Sequence, residues 1–171
     1  MRSKTERNVI LIGMAGAGKS TLGVLLAKAL GKDFVDTDIL IQRQEGCLLP
    51  ELIKRKGVGG FFALEEAVVS AADLRSCVVA TGGSVVYSAR AMEKLKSNGT
   101  VIYLSLPYEE IQRRVSGITT RGIVMRRGRS LRDAYEERLP LYHRYSDITL
   151  DCAGKDIETC VSEMVERLNA L

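Results

Sequence analysis

The sequence predicts an α/β fold, with parallel strands joined by crossover helices. Short apolar runs rich in Val and Ile alternate with longer amphipathic stretches, the pattern of strands buried on both faces and helices packed over them. A glycine-rich turn directly follows the first apolar run, at the strand end where this class of sheet meets its ligands.

Strands are expected at 8–13, 33–36, 77–81, 100–105 and 147–151. Helices are expected over roughly 19–30, 38–45, 49–56, 60–73, 88–97, 107–115, 130–144 and 155–170. Pro107 suits the first turn of a helix, where its missing N–H costs nothing. Pro140 falls inside a periodic helix, so a kink or a break is expected there.

The 171 residues suffice for one domain with a real core and are too few for two of ordinary size. A composition of 46% hydrophobic and 27% charged residues excludes a disordered chain. No apolar run approaches the roughly 18 residues that span a bilayer, and the start, MRSKTERNVI, shows no signal-peptide pattern. A cytoplasmic protein with no membrane partner is expected. The four cysteines, Cys47, Cys77, Cys152 and Cys160, have no CxxC spacing and one histidine, His143, to join them, so reduced thiols are expected rather than a metal site.

The net charge of +4 is unevenly spread, with nine of the sixteen arginines between Arg113 and Arg144. That concentration predicts an anionic ligand. A nucleic-acid partner is not expected, because the cluster lacks interleaved aromatics and any recognisable reading module.

The chemistry is carried first by GMAGAGKS, Gly13 to Ser20, a phosphate loop in its strand-to-helix context. Its glycines let successive N–H groups face the phosphates, and the helix beginning near Lys19 adds its positive end. Gly13, Ala15, Gly16, Ala17 and Gly18, with Thr21 just beyond, are the expected nucleotide contacts. Lys19 would bridge the β- and γ-phosphates of ATP, and Ser20 would offer its hydroxyl to Mg2+.

Asp36 and Asp38 follow at the end of the second strand, with their side chains on the same face, as strand residues i and i+2 are. One carboxylate can hold magnesium while the other takes a proton from a substrate hydroxyl; alternatively the pair caps the next helix. The third strand runs into ATGGS, where Gly82 and Gly83 let a small ligand approach the backbone. The basic stretch TTRGIVMRRGRSLR at 119–132 is interrupted by glycines, as suits a lid that excludes water.

Taken in order, GMAGAGKST, DTD, ATGG, TTRG and ERLPLY resemble the signatures of the shikimate kinase family over nearly the whole chain. The resemblance implies a three-layer α/β/α P-loop NTPase fold with a five-stranded parallel sheet in the order 2-3-1-4-5. It implies a single kinase domain over residues 1–171, with an acceptor-binding helical region at about 38–73 and a lid at about 116–130. It further implies ATP- and Mg2+-dependent phosphorylation of shikimate to shikimate 3-phosphate, a step in aromatic amino acid biosynthesis. Ser20 and Asp36 would sit on the metal side, Asp38 would be the base, and Lys19 and Arg121 would act on the phosphates. Arg114 would pack on adenine, while Gly82, Gly83, Ser84 and Arg138 would hold the acceptor. A monomer is expected, since lid and pockets lie in one chain.

Two positions depart from the family pattern. Ser84 replaces the third glycine of TGGG. In GFFALEE, Phe61 and Glu65 match the family's F-R-x-x-E, but Phe62 stands where that motif places a carboxylate-binding arginine. Phe62 is then either core or part of a reshaped acceptor pocket. Two other functions stay open on this sequence: a kinase of the same fold acting on a less acidic alcohol, and a nucleotide-binding regulator without turnover.

Overall fold

In the computed structural model, residues 7–116 and 123–171 are described. Five parallel strands form one sheet in the order β2-β3-β1-β4-β5, with β1 at Asn8–Ile12, β2 at Asp33–Asp36, β3 at Cys77–Ala80, β4 at Gly99–Ser105 and β5 at Ile148–Asp151. The central strand NVILI is buried throughout, which is why it reads as a continuous apolar run rather than an alternating one. Its Ile10 pairs with Val79 on one side and Val101 on the other. Buried Asn8 donates from its side-chain amide to the Leu74 carbonyl and accepts from the Cys77 amide, which fixes the start of β3 beside β1.

The helices are α1 at Lys19–Leu30, α2 at Thr37–Glu45, α3 at Leu49–Ala71, α4 at Ala89–Asn98, α5 at Tyr108–Ser116, α6 at Leu131–Tyr145 and α7 at Ile157–Asn169. A 3-10 turn at Val85–Tyr87 follows β3. The two helices expected at 49–56 and 60–73 are the two segments of α3, which meet at a kink at Gly57, where the backbone (φ 69°, ψ 173°) is non-helical. α6 runs unbroken past Pro140, so of the kink or break expected there the break does not form. Arg138, Tyr142 and Tyr145 on that helix are buried on both sides of the proline, so packing outweighs the backbone hydrogen bond that proline forfeits.

The main core lies on both faces of the sheet. A second cluster of Ile41, Leu49, Leu52, Phe61, Val68 and Val124 builds a separate wall beyond the ends of β2 and β3. All four cysteines are free, and no helix among the described residues is long and apolar enough to cross a membrane.

Candidate active site

The phosphate loop takes its shape from Gly13, Gly16 and Gly18, all at positive φ, a conformation that side chains with a Cβ disfavour. α1 starts from Gly18 with no side-chain cap and no acidic residue in its first turn, which leaves its free N–H groups and positive end for an anion. Lys19 is buried and folds back over the loop, its Nζ donating to the carbonyls of Gly13 and Met14 at 2.8 Å each. Ser20 Oγ donates to Asp36 Oδ2 at 2.6 Å.

Asp36 is the last residue of β2 and the cap of α2, its Oδ1 accepting from the Asp38 amide at 2.9 Å. The chain therefore turns into a helix between the two aspartates, and they do not share a strand face. The two expected roles are divided instead: Asp36 both caps α2 and faces Ser20, while Asp38 faces Gly82. A methyl group at Gly82 would lie 3.0 Å from Asp38 Oδ1 and 2.3 Å from Glu65 Oε1, so glycine is required for these two carboxyls to converge. Buried Thr37 accepts from the Gly82 amide at 3.1 Å and holds that turn in place.

Glu65, on α3, is only 2% exposed. Ser84 Oγ donates to its Oε2 at 2.6 Å, whereas Oε1 has no hydrogen-bond partner. Burial, opposed by the Ser84 hydrogen bond and reinforced by nearby Asp38, pushes its carboxyl from 4.5 up to about 7. Arg138, on α6, is also 2% exposed. Its Nε donates to the Tyr87 hydroxyl at 3.2 Å, its Nη2 donates to the Val124 carbonyl, and its Nη1 faces Gly83. Tyr142 donates to the Gly83 carbonyl at 2.7 Å, joining α6 to the same turn.

These groups line one open cleft of about 620 Å3, which includes Lys19, Ser20, Asp38, Gly82, Gly83, Ser84 and Arg138 as well as Leu49, Phe61, Ile123 and Val124. Phe61 is 1% exposed and forms part of its apolar wall. Phe62 is half-buried, lies outside that lining, and sets its ring 5.2 Å from the ring of Tyr87. Arg121 lies outside the described residues.

A second cleft of about 570 Å3 adjoins the loop, lined by Ala17, Gly18, Thr21, Arg114 and residues of the β5–α7 connection that include Cys152, Lys155 and Asp156. Arg114 is held there by Glu110 Oε1 at 2.8 Å. Burial pushes the Cys152 thiol up to about 12, so it is a neutral, apolar wall suited to a flat base. The β5–α7 connection was missed in the sequence because its residues form no motif; its place after a strand at the carboxyl edge of the sheet was the available signal. Glu65 and Tyr87 were missed as site residues for a similar reason, since neither burial nor an unpartnered oxygen is visible before the chain folds.

Much of the basic cluster is matched within the chain. Arg113 and Arg114 meet Glu110, Arg126 meets Glu137, and Arg132 meets Glu109 and Glu136. The concentration of arginine is therefore partly an ion-pair network across α5 and α6.

A parallel sheet in this order, a phosphate loop after β1, and a carboxylate and a buried guanidinium sharing the adjacent cleft define a P-loop kinase of small molecules, a phosphotransferase with an alcohol acceptor. The family model described as shikimate kinase matches residues 15–169. The shikimate kinase of Persephonella marina is 34% identical over 95% of this chain and 99% of its own length. The structure of the shikimate kinase from Acinetobacter baumannii in complex with shikimate aligns with a TM-score of 0.88 and 30% identity, covering 98% of this chain and 95% of that one. The Aquifex aeolicus shikimate kinase structure aligns at 0.79 and 31%, over 96% and 98% of the two chains. The chain belongs to the shikimate kinase family.

Proposed function

We propose that this protein transfers the γ-phosphoryl group of ATP to a hydroxyl of shikimate. The observation that carries this reading is the shared cleft, in which Asp38, Lys19 and the buried Arg138 surround Gly82 and Gly83. Asp38 takes the proton from the attacking hydroxyl. Lys19 turns from the loop carbonyls to the transferring phosphate, where positioning and charge neutralisation supply most of the catalysis. Arg138 pairs with the acceptor carboxylate through a charge-assisted contact, and the Gly82–Gly83 backbone lets the ring lie close.

Ser20 and Asp36 present hard oxygen donors side by side, which fits Mg2+. The ion would be shared with phosphate oxygens. When bound, Mg2+ neutralises phosphate charge. Arg114 and Cys152 face the expected place of the base. Arg121 is assigned to the phosphates on the sequence resemblance. A working monomer in the cytoplasm belongs to the same proposal.

Phe62 supplies no hydrogen bond to a carboxylate. Each hydrogen bond to a charged group contributes about 1.5–3 kcal/mol, so the KM for shikimate is expected to be roughly tenfold to a hundredfold above that of a relative with arginine there. A coupled assay of shikimate-dependent ADP release, with mass spectrometry of the product, tests the reading; ATP turnover that never responds to shikimate overturns it. The apolar wall of Leu49, Phe61 and Val124 favours one other acceptor, a less acidic alcohol. A panel of hydroxylated metabolites decides, and a higher kcat/KM for an uncharged acceptor selects it.

A further inference from the structure

The one-turn helix Val85–Tyr87 follows the ATGGS turn and ends in a tyrosine that three charged or aromatic neighbours share. The Tyr87 hydroxyl accepts from Arg138 Nε at 3.2 Å. The ring of Phe62 is 5.2 Å from its ring at 45°. The guanidinium carbons of Arg138 and Arg126 lie 5.2 Å and 5.3 Å from the same centroid. Arg126 is itself paired with Glu137 at 3.1 Å, which leaves Arg138 as the cation of the two that lines the cleft.

We propose that Tyr87 is a positioning residue for the acceptor site: its hydroxyl fixes the Arg138 guanidinium so that the Nη1 edge faces the cleft, and Phe62 fixes Tyr87. The inference rests on the shikimate kinase reading above. Arginine carries several rotatable bonds, and a guanidinium left free must be ordered when the acceptor binds. Here that ordering is done in the free protein. The Val124 carbonyl takes Nη2, Tyr87 takes Nε, and the Tyr142 hydroxyl lies beside the same guanidinium, while Nη1, at 3.3 Å from a methyl group built on Gly83, faces the cleft. Phe62 thus has a role although it does not line the cleft. In place of a second guanidinium, an aromatic pair makes the remaining one rigid.

Tyr87→Phe keeps the ring against Phe62 and removes only the hydroxyl. The expected result is a KM for shikimate raised roughly tenfold, with kcat and the KM for ATP within about twofold of wild type. Phe62→Leu, which keeps an apolar volume but loses the ring, moves the same constant in the same direction by less. In the free protein, the Arg138 Nε–H resonance, assigned by its loss in Arg138→Lys, shifts and exchanges faster with water in Tyr87→Phe. An unchanged KM for shikimate overturns the proposal, as does a loss that falls equally on kcat and on both substrates. If the wild type does not phosphorylate shikimate, the substrate reading fails by itself. The Nε–H resonance then decides: unchanged in Tyr87→Phe, it overturns the positioning role, and shifted, it supports it.

Discussion

The phosphate half and the acceptor half of this site are built in opposite ways. On the phosphate side, eight consecutive residues, GMAGAGKS, supply the backbone amides and the lysine, and the polar groups are satisfied locally: Lys19 on two loop carbonyls, Ser20 on Asp36. On the acceptor side, α2, α3, α6 and the turn after β3 all contribute side chains, and Glu65 Oε1 remains buried without a partner. Binding phosphate is thus a property of a loop. Binding the acceptor is a property of the fold, and that half holds a buried polar atom left without a partner.

Substitutions should separate the halves. Lys19→Ala removes a charge that stabilises the transferring phosphoryl group, and kcat is expected to fall by about a thousandfold with any acceptor. Comparable losses confined to one acceptor in steady-state assays would merge the two halves.

Glu65→Gln acts on stability. The native pKa of Glu65 is raised from 4.5 to about 7, so the folded state holds a proton that the unfolded chain releases across that interval. Stability from this group is full below pH 4.5 and is lost as pH rises through about 7. Glutamine carries no such penalty. Denaturant unfolding should find the variant more stable than wild type by roughly 3 kcal/mol at pH 8 and nearly equal at pH 4. Parallel pH profiles would remove Glu65 as the source.

Gly82→Ala drives a methyl group to 2.3 Å from Glu65 Oε1 and 3.0 Å from Asp38 Oδ1. The expected cost is about 1–3 kcal/mol of stability, with acceptor turnover reduced and ATP affinity, read by calorimetry, retained. Among these four substitutions the smallest effect is expected from Arg138→Lys, which keeps the charge but loses the planar fork. It should raise the KM for shikimate about tenfold and leave the KM for ATP near its wild-type value.

The elements that were legible share one physical property: their signals are local. The buried central strand, the phosphate loop, and the helix spacing around it follow from hydrophobic period and glycine placement within a few residues. The break allowed at Pro140 did not form because a proline rule is local too, and the burial of Arg138, Tyr142 and Tyr145 around it depends on distant partners. The DTD pair misled in the same sense. Strand alternation puts residues i and i+2 on one face, but α2 begins at Thr37, and the backbone turn sends the two carboxylates to different neighbours.

By itself, the sequence determined the fold class, the phosphate loop and the order of motifs that marks the family. Only tertiary structure decided the state of the acceptor site. It buried Glu65 against Ser84, an element away, and placed Phe62 on Tyr87 rather than in the cleft. It also clamped Arg138 between Tyr87 and the Val124 carbonyl. Each depends on residues 14 to 51 positions apart meeting in a water-poor space. Desolvation, which sets the charge of a carboxyl, and the hydrogen bonds that aim a guanidinium exist only once the chain has folded around them.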